Sequence, residues 1–482
     1  MGDLDKTDRL RGPSTATIVA ETDWIGSRPV FYNEQTAVVS TEINDVIDLA
    51  EMEIDREGLA AFLAAGYCVF GRTPVRHVRF LPPCSRLLRG PDDALHVAPV
   101  SCDLTERLER RSSVSEVLER LRAVIRDAER DSQGDIVVPT SGGYDSRLLN
   151  LMVEDRSRLR SFTYGLCEPQ AESREVTRAR ELSRRLGVRW MQIPLGRFHE
   201  RLDEWNALFG PAVHAHGMYH IEFYAQVAPQ VQPASLLLTG SLGDWFAGRT
   251  SRLSPQPVSC PEEVRGFLPS SGLHADDSQA WGSWRSLREA YFETHRATLA
   301  DARLRLIDAV RLRVMLLHYL VKIPEWAGLR PLAPYADIGV ATAMLTLPEE
   351  LREGRRWEAE YFVAQGADVE TAGTGNDWTA FYGAALRRVP VEPLDVGLLR
   401  EVVRPDYVAW VNRQVRPLSS AAEAEIKLVG GMQRTRGLRR AGHQLRRVSP
   451  APQRLPAYHA YMTLFPLQRL LQRRDLARRT SA

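Results

Sequence analysis

The chain has 482 residues, 63 Lys and Arg against 61 Asp and Glu, and a formal net charge of +2. With 44% hydrophobic and 26% charged residues it is neither disordered nor fibrous, and its length predicts two to four domains with a substantial core. No run of eighteen apolar residues occurs; the greasiest stretch, Val314–Val321, is broken by His318. The opening Met1-Gly2-Asp3-Leu4-Asp5 has neither the basic nor the apolar region of a secretory signal. Cys68, Cys84, Cys102, Cys167 and Cys260 are odd in number, widely spaced and form no CxxC pair. That predicts buried free thiols in a reducing cytoplasm, with neither a disulfide framework nor a zinc site.

Residues before about Val100 read as short strands and turns. Pro29–Tyr32 and Ala37–Ser40 flank Asn33–Thr36 as a hairpin, Asp55–Ala65 is helical, and Tyr67–Phe70 and Val78–Leu81 are further strands. Leu104–Asp131 carries apolar residues at helical spacing and reads as one amphipathic helix. Alternation of strand and helix follows: Ile136–Val138, a helix from Arg147 to Val153, Leu159–Tyr164, a helix over Ala171–Leu186 closed by Gly187, Val188–Ile193, and Ser235–Thr239. Strands spaced this way predict right-handed crossovers and a parallel sheet, hence an α/β fold. The remainder to about Gly430 is mainly helical. From Gln433 onward there are twelve Arg and one acidic residue, Asp475, with Pro450, Pro452, Pro456 and Pro466 expected to break the tail into short pieces. Only three lysines occur, Lys6, Lys322 and Lys427.

The run Ile136–Arg147 carries the chemistry. It passes from a strand through Thr140-Ser141-Gly142-Gly143-Tyr144-Asp145-Ser146 into a helix. Paired glycines let backbone approach a ligand, and the first N–H groups of the helix favour an anion. Ser141 and Ser146 add hydroxyl donors, and Asp145 adds a carboxylate suited to Mg²⁺ beside phosphate oxygens. No Lys-Ser/Thr follows the glycines, so this is no Walker A loop. The turn suits a pyrophosphate better than the transfer of a terminal phosphoryl group.

This run resembles the Ser-Gly-Gly-x-Asp-Ser signature of the PP-loop ATP pyrophosphatases. Within them the chain is most similar to the asparagine synthetase family and its relatives, the β-lactam synthetases and lasso-peptide cyclases. Ser161-Phe-Thr-Tyr164-Gly165 resembles the second strand, where the family packs adenine. Thr239-Gly240-Ser241-Leu242-Gly243-Asp244 resembles the Ser-Gly-Glu-Gly-x-Asp loop. Lys322–Asp337, with Gly328, Arg330 and Pro334, resembles the Lys…Gly…Arg-x-Pro-Phe-x-Asp segment. The resemblance implies a PP-loop (adenine nucleotide α hydrolase-like) synthetase domain over 104–430. Residues 1–103 are similar to the latter half of an Ntn glutamine amidotransferase, and 431–482 form an Arg-rich extension. An Ntn glutaminase needs a processed N-terminal cysteine; residue 2 is Gly and the first cysteine is Cys68, so this unit is expected to be inactive.

The resemblance further implies an ATP- and Mg²⁺-dependent ligase that adenylates a carboxylate, releases pyrophosphate and passes the acyl group to an amine or ammonia, in a specialised peptide, sugar-acid or secondary-metabolite pathway. Asp145 and Asp244 would hold Mg²⁺. Thr140–Ser146, Tyr164, Gly165, Thr239 and Gly240 would bind ATP and pyrophosphate, and Lys322 would be catalytic. Tyr219, Ser241, Trp245, Trp326 and Arg330 would line the substrate pocket, though Trp245 and Trp326 read equally as core. Two departures stand out: Ser241 replaces the family's Glu, and the Gly-rich run Thr371–Asp377 has no lysine, leaving Arg355 or Arg356 as substitutes. His214-Ala-His216…His220 reads as metal-like spacing or as packed histidines, with no third ligand in view. The Arg-rich tail reads as an anion- or partner-binding surface, or as a helix packed on the net-acidic body. It carries no nucleic-acid motif. Two other classes remain open: another PP-loop enzyme, and a non-catalytic scaffold that keeps the fold.

Overall fold

The computed structural model describes residues 16–248, 257–268, 273–370, 373–416 and 454–481, with a few isolated positions between 428 and 444. Eleven strands are present among them: β1 (Thr17–Glu21), β2 (Phe31–Asn33), β3 (Val39–Ser40), β4 (Val78–Phe80), β5 (Ser85–Arg89), β6 (Leu95–Pro99), β7 (Ile136–Pro139), β8 (Leu159–Thr163), β9 (Arg189–Gln192), β10 (Leu236–Leu238) and β11 (Arg330–Leu332). β7–β11 form one all-parallel sheet in the order β11-β10-β7-β8-β9. The residues of β7 and β10 are apolar and buried almost without exception, as a sheet covered by helices on both faces requires. The chain leaves β7 toward β8 and β9 on one side, then returns to place β10 and β11 on the other. Crossovers therefore diverge between β7 and β10, opening a crevice at the carboxyl ends of these strands.

The expected α/β class and the four expected parallel strands are present. The fifth, β11, pairs Arg330–Leu332 with Leu236–Leu238 inside the segment expected to be mainly helical. The expected hairpin around Asn33–Thr36 forms between β2 and β3, and Asp55 caps the helix Arg56–Ala65 by accepting from the Gly58 N–H at 2.9 Å. Tyr67–Phe70 does not form a strand. Phe70 and Gly71 both take positive φ (56° and 71°), which turns the chain after a single pairing of Tyr67 with Val213. The expected helix over Leu104–Asp131 is two, Leu104–Glu109 and Val114–Arg130. Arg110 is extended, and Ser113 starts the second by accepting from the Glu116 N–H at 3.2 Å.

Two further expectations are corrected. Cys84 and Cys102 are joined as a disulfide with Cα atoms 6.3 Å apart. The β5–β6 hairpin returns the chain so that Val100 N–H donates to the Cys84 carbonyl at 2.7 Å, a proximity that spacing alone does not reveal. The last segment is not broken into pieces: Arg454–Ser481 is one helix containing Pro456 and Pro466. Pro456 falls in the first turn, where no intrahelical N–H is lost. Tyr458, Tyr461, Leu464, Leu467 and Leu471 are almost wholly buried. Its arginines serve the body: Arg474 pairs with Glu401 at 2.7 Å, Arg469 with Asp203 at 2.6 Å, and Arg478 donates to the Met52 carbonyl at 2.9 Å. The rest of the Arg-rich run, before Arg454, lies outside the described residues apart from isolated positions. No helix among the described residues is long and apolar enough to cross a membrane.

One continuous apolar core runs from Trp24 and Phe62 through the parallel sheet to Leu471, so much of the N-terminal unit shares the interior of the sheet, while Val30, Tyr32, Leu81 and Leu87 form a small core of their own. Leu467→Ala tests whether the terminal helix belongs to that core. A fully buried leucine truncated to alanine is expected to cost about 2–5 kcal/mol in a urea titration. A loss well under 1 kcal/mol would detach the helix from the fold's stability.

Candidate functional site

The turn after β7 lies at the crevice. Gly142 takes φ +67°, and a Cβ there would sit 2.3 Å from the Arg178 Cβ, so only glycine fits. Ser141 N–H donates to the Ser146 hydroxyl at 3.2 Å, and Gly143 N–H donates to the Ser141 hydroxyl at 3.2 Å. The helix Tyr144–Met152 begins at Gly143 with no side-chain cap, leaving its first-turn N–H groups directed at the crevice. Two buried residues hold this turn from behind. Asn150 donates to the Thr140 hydroxyl at 2.9 Å and to the Ser146 carbonyl at 2.7 Å, and accepts from Ser161 at 2.9 Å. Arg147, with 0% exposure, donates to the Gly142 carbonyl at 2.7 Å and to Glu370 at 3.3 Å, with its guanidinium over the rings of Tyr144 and Phe362.

The loop after β10 closes on the same turn. A Cβ on Gly243 would lie 2.5 Å from the Asp145 Oδ1, and one on Gly240 would lie 3.1 Å from the Asp145 Cβ. Thr239 and Ser241 share a hydroxyl–hydroxyl bond of 2.8 Å. Asp244, adjacent to Gly243, is half-buried. After β11, Tyr335 donates to the Asp145 carbonyl at 2.9 Å. At the end of β8, Tyr164 packs edge-on against Tyr219 at 5.7 Å, and Gly165 leaves no room for a Cβ beside the Gln170 carbonyl. Thr140–Ser146, Tyr164, Gly165, Thr239, Gly240, Ser241, Asp244 and Trp245 thus gather at one end of the sheet, with Tyr219 against Tyr164. Thr371 and Ala372 lie outside the described residues; Thr374 of the same loop donates its N–H to Glu172 at 2.9 Å, beside this end of β8.

Three expected site residues are not brought here. Lys322 pairs with Glu42, donates to the Leu208 carbonyl at 2.5 Å and lies 5.3 Å from the Phe209 ring centroid, so its ammonium is committed to packing the N-terminal unit. Arg330 begins β11, at the opposite end of the sheet, and donates to the Asp131 carbonyl at 2.7 Å. Trp326 is 42% exposed and precedes Gly328, whose carbonyl accepts from Ala234 ahead of β10, again at the far end. The matched spacing carries these residues into the right segment, but the side chains leave in other directions.

Arg355, one of the two arginines considered as substitutes for the missing late-loop lysine, is brought to this end of the sheet. Its guanidinium donates to the Asp145 Oδ1 at 2.5 Å and to the Glu358 Oε1 at 2.7 Å, and lies 5.1 Å from the Tyr144 ring centroid. Arg356 points outward to Glu360. Burial raises the affinity of Glu358 for its proton, and Arg355 opposes that shift. Arg147, Asn150 and Glu358 went unread in the sequence. Asn150 is four residues after Ser146, and Glu358 three after Arg355, so each shares a helix face with a named residue. No protein-family profile matches the chain, and a search of curated proteins returns no match.

The histidines of the His214–His220 run are buried, and no group of three His, Cys, Asp or Glu suited to a metal occurs among the described residues. His216 shares a 2.6 Å bond with the Tyr382 hydroxyl, and His199 one of 2.7 Å with the Tyr458 hydroxyl. Burial lowers His199 to about 4, His214, His220 and His318 to about 3, and His216 in the same direction. Their contribution to stability is complete above the unfolded value near 6.5 and is lost as pH falls toward 4. Each adds a slope of about 1.4 kcal/mol per pH unit in that window. Glu129, Glu222 and Glu358, raised by burial, act oppositely but are fewer. Urea midpoints measured from pH 7 to 5 should therefore fall steadily, and a flat profile would contradict neutral buried imidazoles.

Proposed function

We propose that this protein is an ATP-dependent amide-bond-forming ligase acting in the manner of the asparagine synthetase family. The observation that carries the reading is the Ser141–Ser146 turn. It is uncapped and glycine-lined, lies at the switch point between β7 and β10, and is pressed by the Gly240–Asp244 loop. In this reaction a substrate carboxylate oxygen bonds to the α-phosphorus of ATP as the bond to pyrophosphate breaks. An amine then attacks the acyl carbon and AMP leaves with the bonding electron pair. The first-turn N–H groups and the hydroxyls of Ser141 and Ser146 would hold the leaving pyrophosphate as its charge grows. Tyr164 and Gly165 would flank adenine.

The acidic residues fit a magnesium–nucleotide, because Asp145 and Asp244 stand on two turns in contact. The metal would screen the repulsion between carboxylate and triphosphate. Arg355 shares Asp145 in the resting protein; the phosphates of ATP offer its guanidinium an alternative partner, which suits it to the work the missing late-loop lysine does in the family. Cys68 is no glutaminase nucleophile: it is buried, and burial pushes its thiol well up. The amine is therefore ammonia, or an amine on the substrate or a partner.

A scaffold that keeps the fold without chemistry is the second reading, and the Arg355–Asp145 bond together with the absence of a carboxylate at Ser241 favours it. ATP–pyrophosphate exchange across a panel of carboxylates separates the two. Magnesium-dependent exchange with at least one acid is expected, lost in Asp145→Asn and Asp244→Asn and lowered at least about tenfold, ~1.4 kcal/mol of barrier, in Arg355→Ala. Lys322→Ala should keep wild-type exchange, and glutamine should not replace ammonia. Absence of both exchange and ATP binding would establish the scaffold instead.

A further inference from the structure

Arg313, on the helix Ala302–Leu317, makes no hydrogen bond or ion pair among the described residues. Its guanidinium carbon lies 3.9 Å from the ring centroid of Trp245, the residue after Asp244, and its Nε is out of solvent without a partner. The Tyr67 hydroxyl, from the N-terminal unit, is likewise buried with no partner. Tyr67 and Asp244 are the groups whose charge acts on Arg313. Burial brings Arg313 down to about 10 against the opposing pull of Tyr67 and Asp244, and burial pushes Tyr67 above its ordinary range. A cation withdrawn from water normally finds a carboxylate in the protein, and a buried hydroxyl normally finds an acceptor. Among the described residues the Arg313 guanidinium bonds no carboxylate and the Tyr67 hydroxyl no acceptor, and Arg313 stacks on Trp245 of the loop that closes on Asp145.

We infer that Arg313 and Tyr67 form the receptor for the substrate's carboxylate. A guanidinium presents paired donors that match the two oxygens of a carboxylate, and its stacking on Trp245 fixes the plane of that fork. Arg313 is half-buried, so a ligand reaches it. Tyr67 supplies a further donor. The bound carboxylate thereby lies next to the turn that would hold the nucleotide. This inference rests on the ligase reading for the use of the bound acid, but the binding itself does not require that reading.

The test labels the full chain with 5-fluorotryptophan and follows its ten tryptophans by ¹⁹F NMR, with the Trp245 signal assigned from Trp245→Phe. Glutarate and N-acetylglycine should shift the Trp245 signal saturably, while glutaramide and N-acetylglycinamide should not. Arg313→Gln should abolish the response with the other nine signals in place, which certifies the fold. Arg313→Lys, keeping charge without the fork, and Tyr67→Phe should each weaken binding about tenfold. The inference is overturned if no carboxylate moves the signal, if the response survives Arg313→Gln, or if inorganic phosphate or pyrophosphate binds there more tightly than the acids. Failure of ATP–pyrophosphate exchange with the carboxylate response intact would sink the ligase reading alone. Exchange without that response would sink this one alone.

Discussion

A turn that is to bind phosphate must keep its N–H groups unspent, and a protein can do that only by holding the turn through other atoms. Here the holding is done from behind the loop. Arg147 binds the Gly142 carbonyl and Asn150 binds the Ser146 carbonyl, while Thr140, Asn150 and Ser161 close a buried hydrogen-bonded set between β7, β8 and the helix. The Gly142 and Ser146 carbonyls are thus tied to the interior; the Ser141 and Gly143 N–H groups bond to the turn's own hydroxyls, and the uncapped first turn of the helix leaves further donors at the crevice. The arrangement has its own demand, since a fully buried guanidinium is tolerable only if it is compensated. Glu370, Asp368 and two aromatic faces supply that compensation. The segment 368–370, remote in sequence, is in this sense part of what holds the Ser141–Ser146 turn.

Arg355 imposes a second constraint. It stands between Asp145 and the buried Glu358, and without it two carboxylates would face each other in a poorly solvated space. Gly354 and Arg355 both take positive φ, 60° and 59°. A left-handed arginine costs on the order of 1–2 kcal/mol, which the paired contacts offset. A residue held this way has a use at that spot. In the ligase reading, the same cation neutralises Asp145 in the resting protein and meets incoming phosphate when nucleotide binds, so the site never carries its acidic charge uncompensated.

How much of this the sequence disclosed follows from how local each signal is. Ile136–Val138 is a continuous apolar run, Leu159–Tyr164 is rich in aromatic and β-branched residues, and Ser141–Asp145 is a contiguous motif between strand and helix; these placements were legible. Pro466 was misleading because proline reports a local penalty, whereas the helix it sits in is held by burial of Tyr461, Leu464, Leu467 and Leu471 along its length. The Cys84–Cys102 bond depends on a hairpin register. Lys322, Trp326 and Arg330 illustrate the opposite limit: the segment runs from one end of the sheet to the other, so matched spacing within it cannot say which end a side chain occupies. Arg355 and Arg313 are single arginines among many, distinguishable only once the fold shows which lack ordinary surroundings.

The N-terminal unit gains a role from these contacts that needs no glutaminase chemistry. Trp24 donates to the Ala336 carbonyl at 2.8 Å, next to the tyrosine that binds the Asp145 backbone, and its ring lies 5.8 Å from Phe246 of the Asp244 loop. Glu42 holds Lys322, Gly66 accepts from the His214 N–H at 2.8 Å, and Tyr67 reaches the surroundings of Arg313. The Trp24 contacts end on elements that frame the carboxyl end of the parallel sheet, whereas Glu42 holds Lys322 away from it. A unit that had only to be tolerated would be expected to pack through generic apolar surface. This one spends hydrogen bonds on the walls of the crevice, and its removal would expose the core shared with Trp245 and Phe246. Selection for the shape of the site is sufficient to keep it, whatever nitrogen source the chemistry uses.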